Sequence, residues 1–369
     1  MVLIKKEGIL DYMKIMIRTD ASIEIGTGHV MRCLTLAKQL QRHGAEVTFI
    51  CRNLVGNSIA YLKSQNVGVL SLPEMKDSTS DIEWISENWK QDAKDTASLL
   101  KQSGCKVDVL VVDHYSLDEK WEREFDQLVS SIFVIDDLAN RPHKCNYLLD
   151  QNYYHNMQER YIGLVPDECV LLLGPDYVLL RDEFIEAAKR PRIRSGKVEN
   201  LLIFFGGTDP TGETIKALEA VQESEQQFKN IDVVVGASNP HKEIVEELCK
   251  ATPNAQYLCQ VNNMAELMMK ADLAIGAGGS TIWERCILLL PSIILVTAEN
   301  QKEVTKAVAE QGSIFYLGEF IEVGRKDISD SLKYVNKNTE FFKKSIENCE
   351  KLISIRSVTG QPICKRLII

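Results

Sequence analysis

A glycine-rich segment in the second half of the chain is the first candidate for chemistry. It reads Gly276-Ala277-Gly278-Gly279-Ser280-Thr281-Ile282-Trp283-Glu284 and joins a predicted strand to a predicted helix. The small residues let phosphate oxygens reach backbone amides, the hydroxyls of Ser280 and Thr281 add donors, and the helix N-terminus adds a favourable field. Glu284, about one turn into the helix, could accept hydrogen bonds from two ribose hydroxyls. The alternative is a purely structural glycine turn.

A second glycine segment precedes the helix that is predicted from Thr211. It reads Phe205-Gly206-Gly207-Thr208-Asp209-Pro210, and its candidate substrate-binding residues are Gly207 and Thr208. The segment is not a P-loop, because Gly212 is followed by Glu213 where that motif requires lysine.

A loop in the first half of the chain carries a histidine at the start of a predicted helix. It reads Asp20-Ala21-Ser22-Ile23-Glu24-Ile25-Gly26-Thr27-Gly28-His29. A dinucleotide fingerprint would need glycine at the position of Met31, so that cofactor is not expected. The helix N-terminus disfavours the imidazolium form, and a neutral His29 can accept a proton. Alternatively, His29 caps the helix or fills space. The candidate substrate-binding residues here are Gly26, Gly28 and Arg32.

Acidic and aromatic side chains follow two later strands of the first half. Asp113-His114-Tyr115 comes after one strand and Asp136-Asp137 after the other. Asp113 could orient an imidazole, and Tyr115 could position a water molecule through its hydroxyl. Turn-forming aspartates beside a packed tyrosine are the alternative.

Repeated βα units must position these residues. Short β-branched or leucine-rich runs are each followed by Gly, Asp or Asn and then by an amphipathic stretch such as Gly28 to Arg42. The predicted strands are Ile15 to Arg18, Glu46 to Cys51, Val107 to Val112, Ile132 to Ile135, Tyr147 to Leu149, Asn200 to Phe205, Ile231 to Val235, Ala255 to Leu258, Leu273 to Ile275 and Ser292 to Val296. Each half predicts a mainly parallel sheet, and ligands bind beyond the carboxyl ends of such strands.

The length of 369 residues predicts two domains. Lys189 to Lys197 is basic, contains Pro and Gly, and is the predicted linker. The expected domains are residues 1-190 and 198-369, with the last helix a candidate to pack back on the N-terminal domain. The charged faces of Trp84 to Lys94 and Leu117 to Glu124 predict solvated helices.

Composition excludes several classes of protein. The net charge of -9 argues against a nucleic-acid surface. The ten cysteines contain no CxxC pair, so we expect reduced thiols and no structural zinc site. Met1 to Met13 lacks the apolar core of a signal peptide, and Cys286 to Ala298 is too short to span a membrane. These features predict a cytoplasmic protein, and none of the motifs calls for a metal or cofactor.

The motifs together resemble the PseG family of UDP-2,4-diacetamido-2,4,6-trideoxy-β-L-altropyranose hydrolases of pseudaminic acid synthesis, which are related to the SpsG spore-coat polysaccharide proteins. The resemblance runs in order from about Lys14 to about Gly318. The segments that carry it are Arg18 to Asp20, Gly26 to Arg32, Val112 to Tyr115, Gly174 to Phe184, Phe205 to Asp209 and Gly278 to Ser280.

The resemblance implies an α/β GT-B fold like that of MurG, in which two Rossmann-like domains face a cleft. The N-terminal domain would take the sugar and the C-terminal domain the UDP, with uracil near Leu258 to Met264. His29 matches the catalytic histidine of the family and Tyr115 a tyrosine that places water. Glu284 matches the ribose-binding acid, and Asn300 and Gln301 match residues that contact the sugar.

The expected reaction is inverting hydrolysis of a UDP-sugar. Neutral His29 would take a proton from the water that attacks C1, while Tyr115 and either Asp113 or Asp20 hold that water. The segment from Ser280 would stabilise the charge on the β-phosphate. Two other functions are compatible with the sequence: a GT-B glycosyltransferase with a UDP-sugar donor, and a non-catalytic nucleotide-sugar binder in polysaccharide assembly. The sequence leaves the oligomeric state open.

Overall fold

The computed structural model describes residues 12–75, 80–102, 104, 106–224 and 226–368. Most of the segment considered for a signal peptide, and Cys105, lie outside these ranges. The described part of the chain forms two compact units. Unit 1 takes the described residues up to Asn152, then Asn156–Leu179 and the segment from Gly360, and unit 2 takes Tyr153–His155 and Leu180–Thr359.

Unit 1 is built on a parallel sheet of seven strands. The strands are β1 (Lys14–Thr19), β2 (Glu46–Arg52), β3 (Gly68–Leu72), β4 (Val107–Asp113), β5 (Val129–Ile135), β6 (Tyr147–Asp150) and β7 (Val170–Leu173). Their order is β3-β2-β1-β4-β5-β6-β7. β1 pairs with both β2 and β4, so the strand order reverses between β1 and β4. Ligands of open parallel sheets bind at such a reversal, beyond the carboxyl ends of the strands.

Unit 2 repeats this arrangement with six parallel strands. They are β8 (Asn200–Phe204), β9 (Asn230–Val235), β10 (Ala255–Cys259), β11 (Leu273–Ala277), β12 (Ser292–Val296) and β13 (Phe315–Glu319). Their order is β10-β9-β8-β11-β12-β13, so the reversal lies between β8 and β11. Each reversal has a glycine-containing loop beside it.

Helices cover the sheets. Those before residue 200 are α1 (Gly28–Arg42), α2 (Ile59–Ser64), α3 (Asp81–Glu87), α4 (Trp89–Gln102), α5 (Glu119–Glu122) and α6 (Asp182–Ala188). Those after it are α7 (Glu213–Glu223), α8 (Lys242–Ala251), α9 (Met264–Lys270), α10 (Thr281–Ile287), α11 (Lys302–Glu310), α12 (Arg325–Lys337), α13 (Thr339–Leu352), α14 (Ile355–Thr359) and α15 (Pro362–Ile368). Single 3-10 turns span Arg123–Phe125, Pro175–Tyr177 and Glu299–Gln301.

The predicted α/β fold with two mainly parallel sheets is confirmed, and each of the ten predicted strands is present. Sequence reasoning missed β3, β7 and β13. All three lie at sheet edges. Most side chains of β3 and β13 are exposed or only partly buried, and β7 has only four residues. The prediction that the charged helix faces are solvated was wrong for Asp92 and Glu122, because both side chains are fully buried, Asp92 paired with Arg18 and Glu122 hydrogen-bonded to His143.

The C-terminal helix belongs to unit 1. Ile363, Cys364 and Leu367 of α15 are buried in the same apolar cluster as Leu40 of α1. His43, just after α1, hydrogen-bonds the side chain of Gln361 through Nε2 at 2.6 Å. In the part of the chain that the structure describes, every helix falls short of the length and apolar character needed to cross a bilayer.

Candidate functional site

His29 lies at the strand reversal of unit 1, in the first turn of α1. Its Nδ1 is 2.6 Å from the Oδ1 of Asp113, the last residue of β4. Because a carboxylate only accepts, Nδ1–H donates, and in the neutral ring the lone pair therefore lies on Nε2. No described residue hydrogen-bonds Nε2. Asp113 and His29 therefore form a pair suited to accepting a proton at Nε2.

Arg32 and Tyr115 flank this pair. Arg32 follows His29 by almost one turn of α1 and donates to both oxygens of Asp113, from Nε at 2.6 Å and Nη2 at 2.7 Å. Burial alone would raise the pKa of Asp113, but the charge of Arg32, with the hydrogen bonds from Arg32 and His29, outweighs it and lowers that pKa. The Tyr115 ring packs edge-on against His29, with centroids 4.4 Å apart. The structure thus brings together His29, Arg32, Asp113 and Tyr115.

Asp20 lies in a different network. It pairs with Arg18 at 2.7 Å and accepts a hydrogen bond from the backbone N–H of Arg52 at 2.6 Å. Asp92 of α4 accepts from both arginines, and all of these side chains are buried. The network ties the carboxyl ends of β1 and β2 to α4. Gly26, in the loop after β1, has a positive φ of 78°, a conformation that glycine adopts without strain, and Gly28 begins α1.

A third group of acids lies at the carboxyl ends of β5 and β6. Tyr161 is 3.1 Å from a carboxylate oxygen of Asp136 and 3.2 Å from one of Asp150. Burial, followed by the charge of Asp137, raises the pKa of Asp150 to about 7. Sequence reasoning gave Asp150 and Tyr161 no role, because no motif marks either residue.

The unit 2 loops lie at its own strand reversal. Gly207 and Thr208 are exposed after β8, whereas Asp209 is buried and accepts from the backbone N–H groups of Glu213 and Thr214 at the start of α7. Asp209 therefore positions α7. Gly236, after β9, approaches so closely that an added Cβ would lie 2.3 Å from the carbonyl oxygen of Gly207.

The segment from Gly278 to Ser280 is packed from one side by α11. A Cβ added to Gly278 would lie 2.2 Å from the Thr305 hydroxyl, whereas one added to Gly279 would have only an ordinary contact, at 3.7 Å, with Gln301. Ser280 is exposed at the N-cap of α10, and its hydroxyl makes no capping bond. Because α10 has only seven residues, the main hydrogen-bond donors that this end of the helix offers to a ligand are the loop amides and the hydroxyls of Ser280 and Thr281.

Glu284 and Gln301 flank this segment. Arg181, a residue that sequence reasoning missed, donates to Glu284 at 3.1 Å, while burial raises the pKa of Glu284. Gln301 accepts from the backbone N–H of Thr297 at 3.1 Å, and Asn300 beside it is exposed. Leu258 lines a cavity of about 660 Å³ between β10 and α9. The uracil position expected near Leu258 stays a prediction.

Among the described residues, no group of three or more His, Cys, Asp or Glu side chains has an arrangement that could hold a metal ion.

Arg192 and Arg194, from the predicted linker, bond to unit 2. Arg194 donates to the carbonyl oxygens of Met268, Ala271, Leu288 and Leu289. The predicted domain boundaries stay predictions.

Residues 201–350 match the family model of the glycosyltransferase family 28 C-terminal domain. A UDP-2,4-diacetamido-2,4,6-trideoxy-beta-L-altropyranose hydrolase of Campylobacter jejuni is 29% identical over 303 residues, which cover 81% of this chain and 97% of the relative. The chain is a distant homologue of the PseG and SpsG proteins. The spore coat polysaccharide biosynthesis protein SpsG of Bacillus subtilis is 28% identical over 316 residues, covering 83% of this chain and 84% of the relative. An uncharacterized protein of Methanocaldococcus jannaschii is 27% identical and covers 95% of this chain and 71% of the relative.

Solved structures confirm the GT-B fold. MurG of Acinetobacter baumannii superposes with a TM-score of 0.65 at 14% identity, covering 96% of this chain and 100% of that one. UGT2 of Phytolacca americana, in a structure complexed with UDP-2fluoro-glucose and pterostilbene, gives a TM-score of 0.69 at 10% identity. The match covers 96% of this chain and 99% of that one. At these identities the likeness concerns the fold alone.

Proposed function

We propose that the protein hydrolyses a UDP-sugar at its anomeric carbon, releasing UDP and a 2,4-diacetamido-2,4,6-trideoxyhexose for nonulosonic (pseudaminic) acid biosynthesis. The observation that carries this proposal is the His29–Asp113 pair at the strand reversal of unit 1, with Nδ1 held at 2.6 Å. The distant hydrolase relative and the family 28 match over residues 201–350 support a nucleotide sugar as the substrate class.

In the proposed reaction His29 is the general base. Nε2 takes a proton from water as the water oxygen attacks C1, and the electron pair of the C1–O bond leaves with the β-phosphate of UDP. Asp113 stabilises the imidazolium that forms, and Tyr115 helps to hold the water. Attack opposite the leaving group inverts the anomeric centre. Asp20 has a structural role in this proposal, because its Oδ1 binds Arg18 and the backbone N–H of Arg52 and its Oδ2 faces the ring of His114.

Unit 2 binds the nucleotide in this proposal. The amides of Gly278 and Gly279 and the hydroxyls of Ser280 and Thr281 bind the diphosphate. Glu284, held by Arg181, accepts from the ribose hydroxyls. The exposed residues Gly207 and Thr208, with Asn300 and Gln301, complete the contacts to phosphate and sugar. In unit 1, the sugar is contacted by Gly26, Gly28 and Arg32.

The decisive experiment measures UDP release from a panel of UDP-diacetamido-trideoxyhexoses with no acceptor present. His29→Gln should lower turnover by roughly 10²- to 10⁴-fold because the base is lost, while UDP affinity stays near that of the wild type. The matched control is His155→Gln, because that imidazole is exposed and contacts Glu310 and Tyr153, far in the sequence from the His29 loop. Loss of UDP affinity in His29→Gln would contradict the assignment of His29 as a base.

Water labelled with oxygen-18 tests which bond breaks. The label should appear in the sugar, and NMR of the fresh product should show the inverted anomer. Label in the UDP would indicate P–O cleavage and exclude the scheme.

A second candidate function is glycosyl transfer to an acceptor hydroxyl. The family 28 match and the GT-B fold favour it, because the same fold and nucleotide loop would serve a transferase. UDP that appears only when an acceptor is added would support transfer over hydrolysis.

A further inference from the structure

The carboxylate of Asp137 is shared between two side chains of the unit 1 site. Tyr115 donates its hydroxyl proton to Oδ1 at 2.7 Å, and Arg32 donates from Nη1 to Oδ2 at 2.9 Å. These donors come from different elements, since Tyr115 follows β4 and Arg32 lies on α1. One carboxylate therefore fixes the separation of two elements at this edge of the sheet.

Both side chains held by Asp137 also touch His29. The Tyr115 ring lies edge-on to the imidazole at an interplanar angle of 83°. The Nη2 of Arg32 is 3.1 Å from Nδ1 of His29 and also binds Asp113, the partner of that nitrogen. Asp137 thus acts on the imidazole from two sides without hydrogen-bonding it.

The loop that carries Asp137 is itself fixed. Asp136 accepts from the backbone N–H of Ala139 at 2.9 Å and pairs with Arg141 at 2.7 Å. Arg160 donates to the backbone carbonyl of Asp137 at 3.0 Å. Because the preceding residue Asp136 and the backbone of Asp137 are both held by hydrogen bonds, the position of Asp137 is determined before any ligand binds.

We infer that Asp137 is a positioning residue, which holds Tyr115 and Arg32 so that the Nε2 of His29 is presented to the attacking water. This inference rests on the proposed hydrolysis. Removing the carboxylate takes this acceptor from both the Tyr115 hydroxyl and Nη1 of Arg32, so the two side chains that touch His29 loosen together. Misplacement of a catalytic group by about 1 Å can lower a rate roughly 10²-fold.

Two measurements on the full chain test the inference. The first is the ¹⁵N–¹H spectrum of the histidine side chains, with His29 assigned by its loss in His29→Gln. Wild type should show one Nδ1–H tautomer, Asp137→Asn a mixture or broadening, and Asp137→Glu a partial return. The exposed carboxylate of Asp167 supplies the matched control, Asp167→Asn, which should match wild type.

The second measurement is UDP release under steady-state conditions. Asp137→Asn should lower kcat by roughly 10- to 100-fold with KM within about 3-fold, since positioning and not binding is lost. Tyr115→Phe should lower kcat less than Asp137→Asn does. The kcat of the double variant should be close to that of Asp137→Asn alone, because both changes remove the same contact.

The outcomes separate the inference from the proposed function. A wild-type His29 spectrum and an unchanged kcat in Asp137→Asn would overturn the inference. If that variant unfolds, Tyr115→Phe decides, and an unchanged His29 spectrum in it overturns the inference equally. Wild-type protein that releases no UDP from any substrate overturns the proposed hydrolysis, while the spectra still decide whether Asp137 orients His29.

Discussion

Asp150 is the carboxylate in unit 1 whose protonation should be visible in stability. Its pKa of about 7 in the fold exceeds the ordinary value of 3.8, so the folded protein keeps a proton that the unfolded chain has lost between those pH values. The stability that this group contributes is therefore greatest at low pH and falls as pH rises toward 7. Asp113 has a lowered pKa in the fold, so the stability that it contributes is present at neutral pH and is lost as the pH falls.

Asp150→Asn removes this titration. The free energy of unfolding of the wild type should fall relative to the variant by about 2 kcal/mol between pH 5 and pH 7. Urea unfolding at the two pH values measures it, and Asp167→Asn should show no such difference. Wild-type and Asp150→Asn values that change in parallel with pH would mean that the carboxyl is ionised throughout.

The residues nearest to the proposed chemistry could be predicted because each lies at the carboxyl end of a strand or in the segment that leads from a strand into the next helix. His29, Asp113 and Tyr115 were grouped from the sequence on this basis, and the structure brings them together. The Arg18–Asp92–Arg52 network could not be predicted, because Asp92 is 74 residues from Arg18 and 40 from Arg52. A charged residue on an amphipathic helix looks solvated until the fold supplies its partner.

At the scale of elements, the packing of α11 against the loop after β11 makes a sharp test. A Cβ at Gly278 would lie 2.2 Å from the buried Thr305 hydroxyl, so Gly278→Ala forces the loop or α11 to move. We expect a loss of about 1–3 kcal/mol in the free energy of unfolding and weaker UDP binding. Denaturant unfolding and calorimetric UDP titration measure the two effects.

Two further variants locate the cause. Gly278→Ala combined with Thr305→Ala should recover much of the stability, because the clashing hydroxyl is gone. Gly279→Ala is the matched control, since its Cβ would make only an ordinary contact with Gln301 at 3.7 Å. Equal losses for both glycine variants would show that chain flexibility, and not the contact with Thr305, sets the cost.

Elements were predictable where they are buried on both faces. Internal strands such as β4 and β12 contain uninterrupted apolar runs, as is typical of parallel sheets. β3 and β13, at the sheet edges, consist mostly of exposed or half-buried positions, so their sequences show little contrast between a buried and an exposed face. Helix α1 was predicted with its observed bounds, because its apolar spacing ends at His43-Gly44.

At the scale of the whole molecule, α15 connects the end of the chain to the core of unit 1. Leu367 is 5% exposed within the cluster that contains α1, whereas Arg366 beside it is exposed. Leu367→Ala should lower the stability of unit 1 by roughly 2–5 kcal/mol, and Arg366→Ala by less than about 0.5 kcal/mol. Amide hydrogen exchange in α1 should quicken in Leu367→Ala while exchange in α7 stays unchanged. Faster exchange in α7 as well would contradict the assignment of α15 to unit 1.

The place of α15 also bears on the order in which the protein is made. A ribosome delivers residues in sequence, and a nascent domain folds once its last essential segment has left the exit tunnel. The described strands of unit 2 end at Glu319 and its last residue is Thr359, whereas unit 1 also needs α15, which follows unit 2 in the sequence. Unit 1 is therefore completed only after the whole of unit 2 has been made, and a translation product that ends at Thr359 would carry a complete unit 2 beside an incomplete, aggregation-prone unit 1.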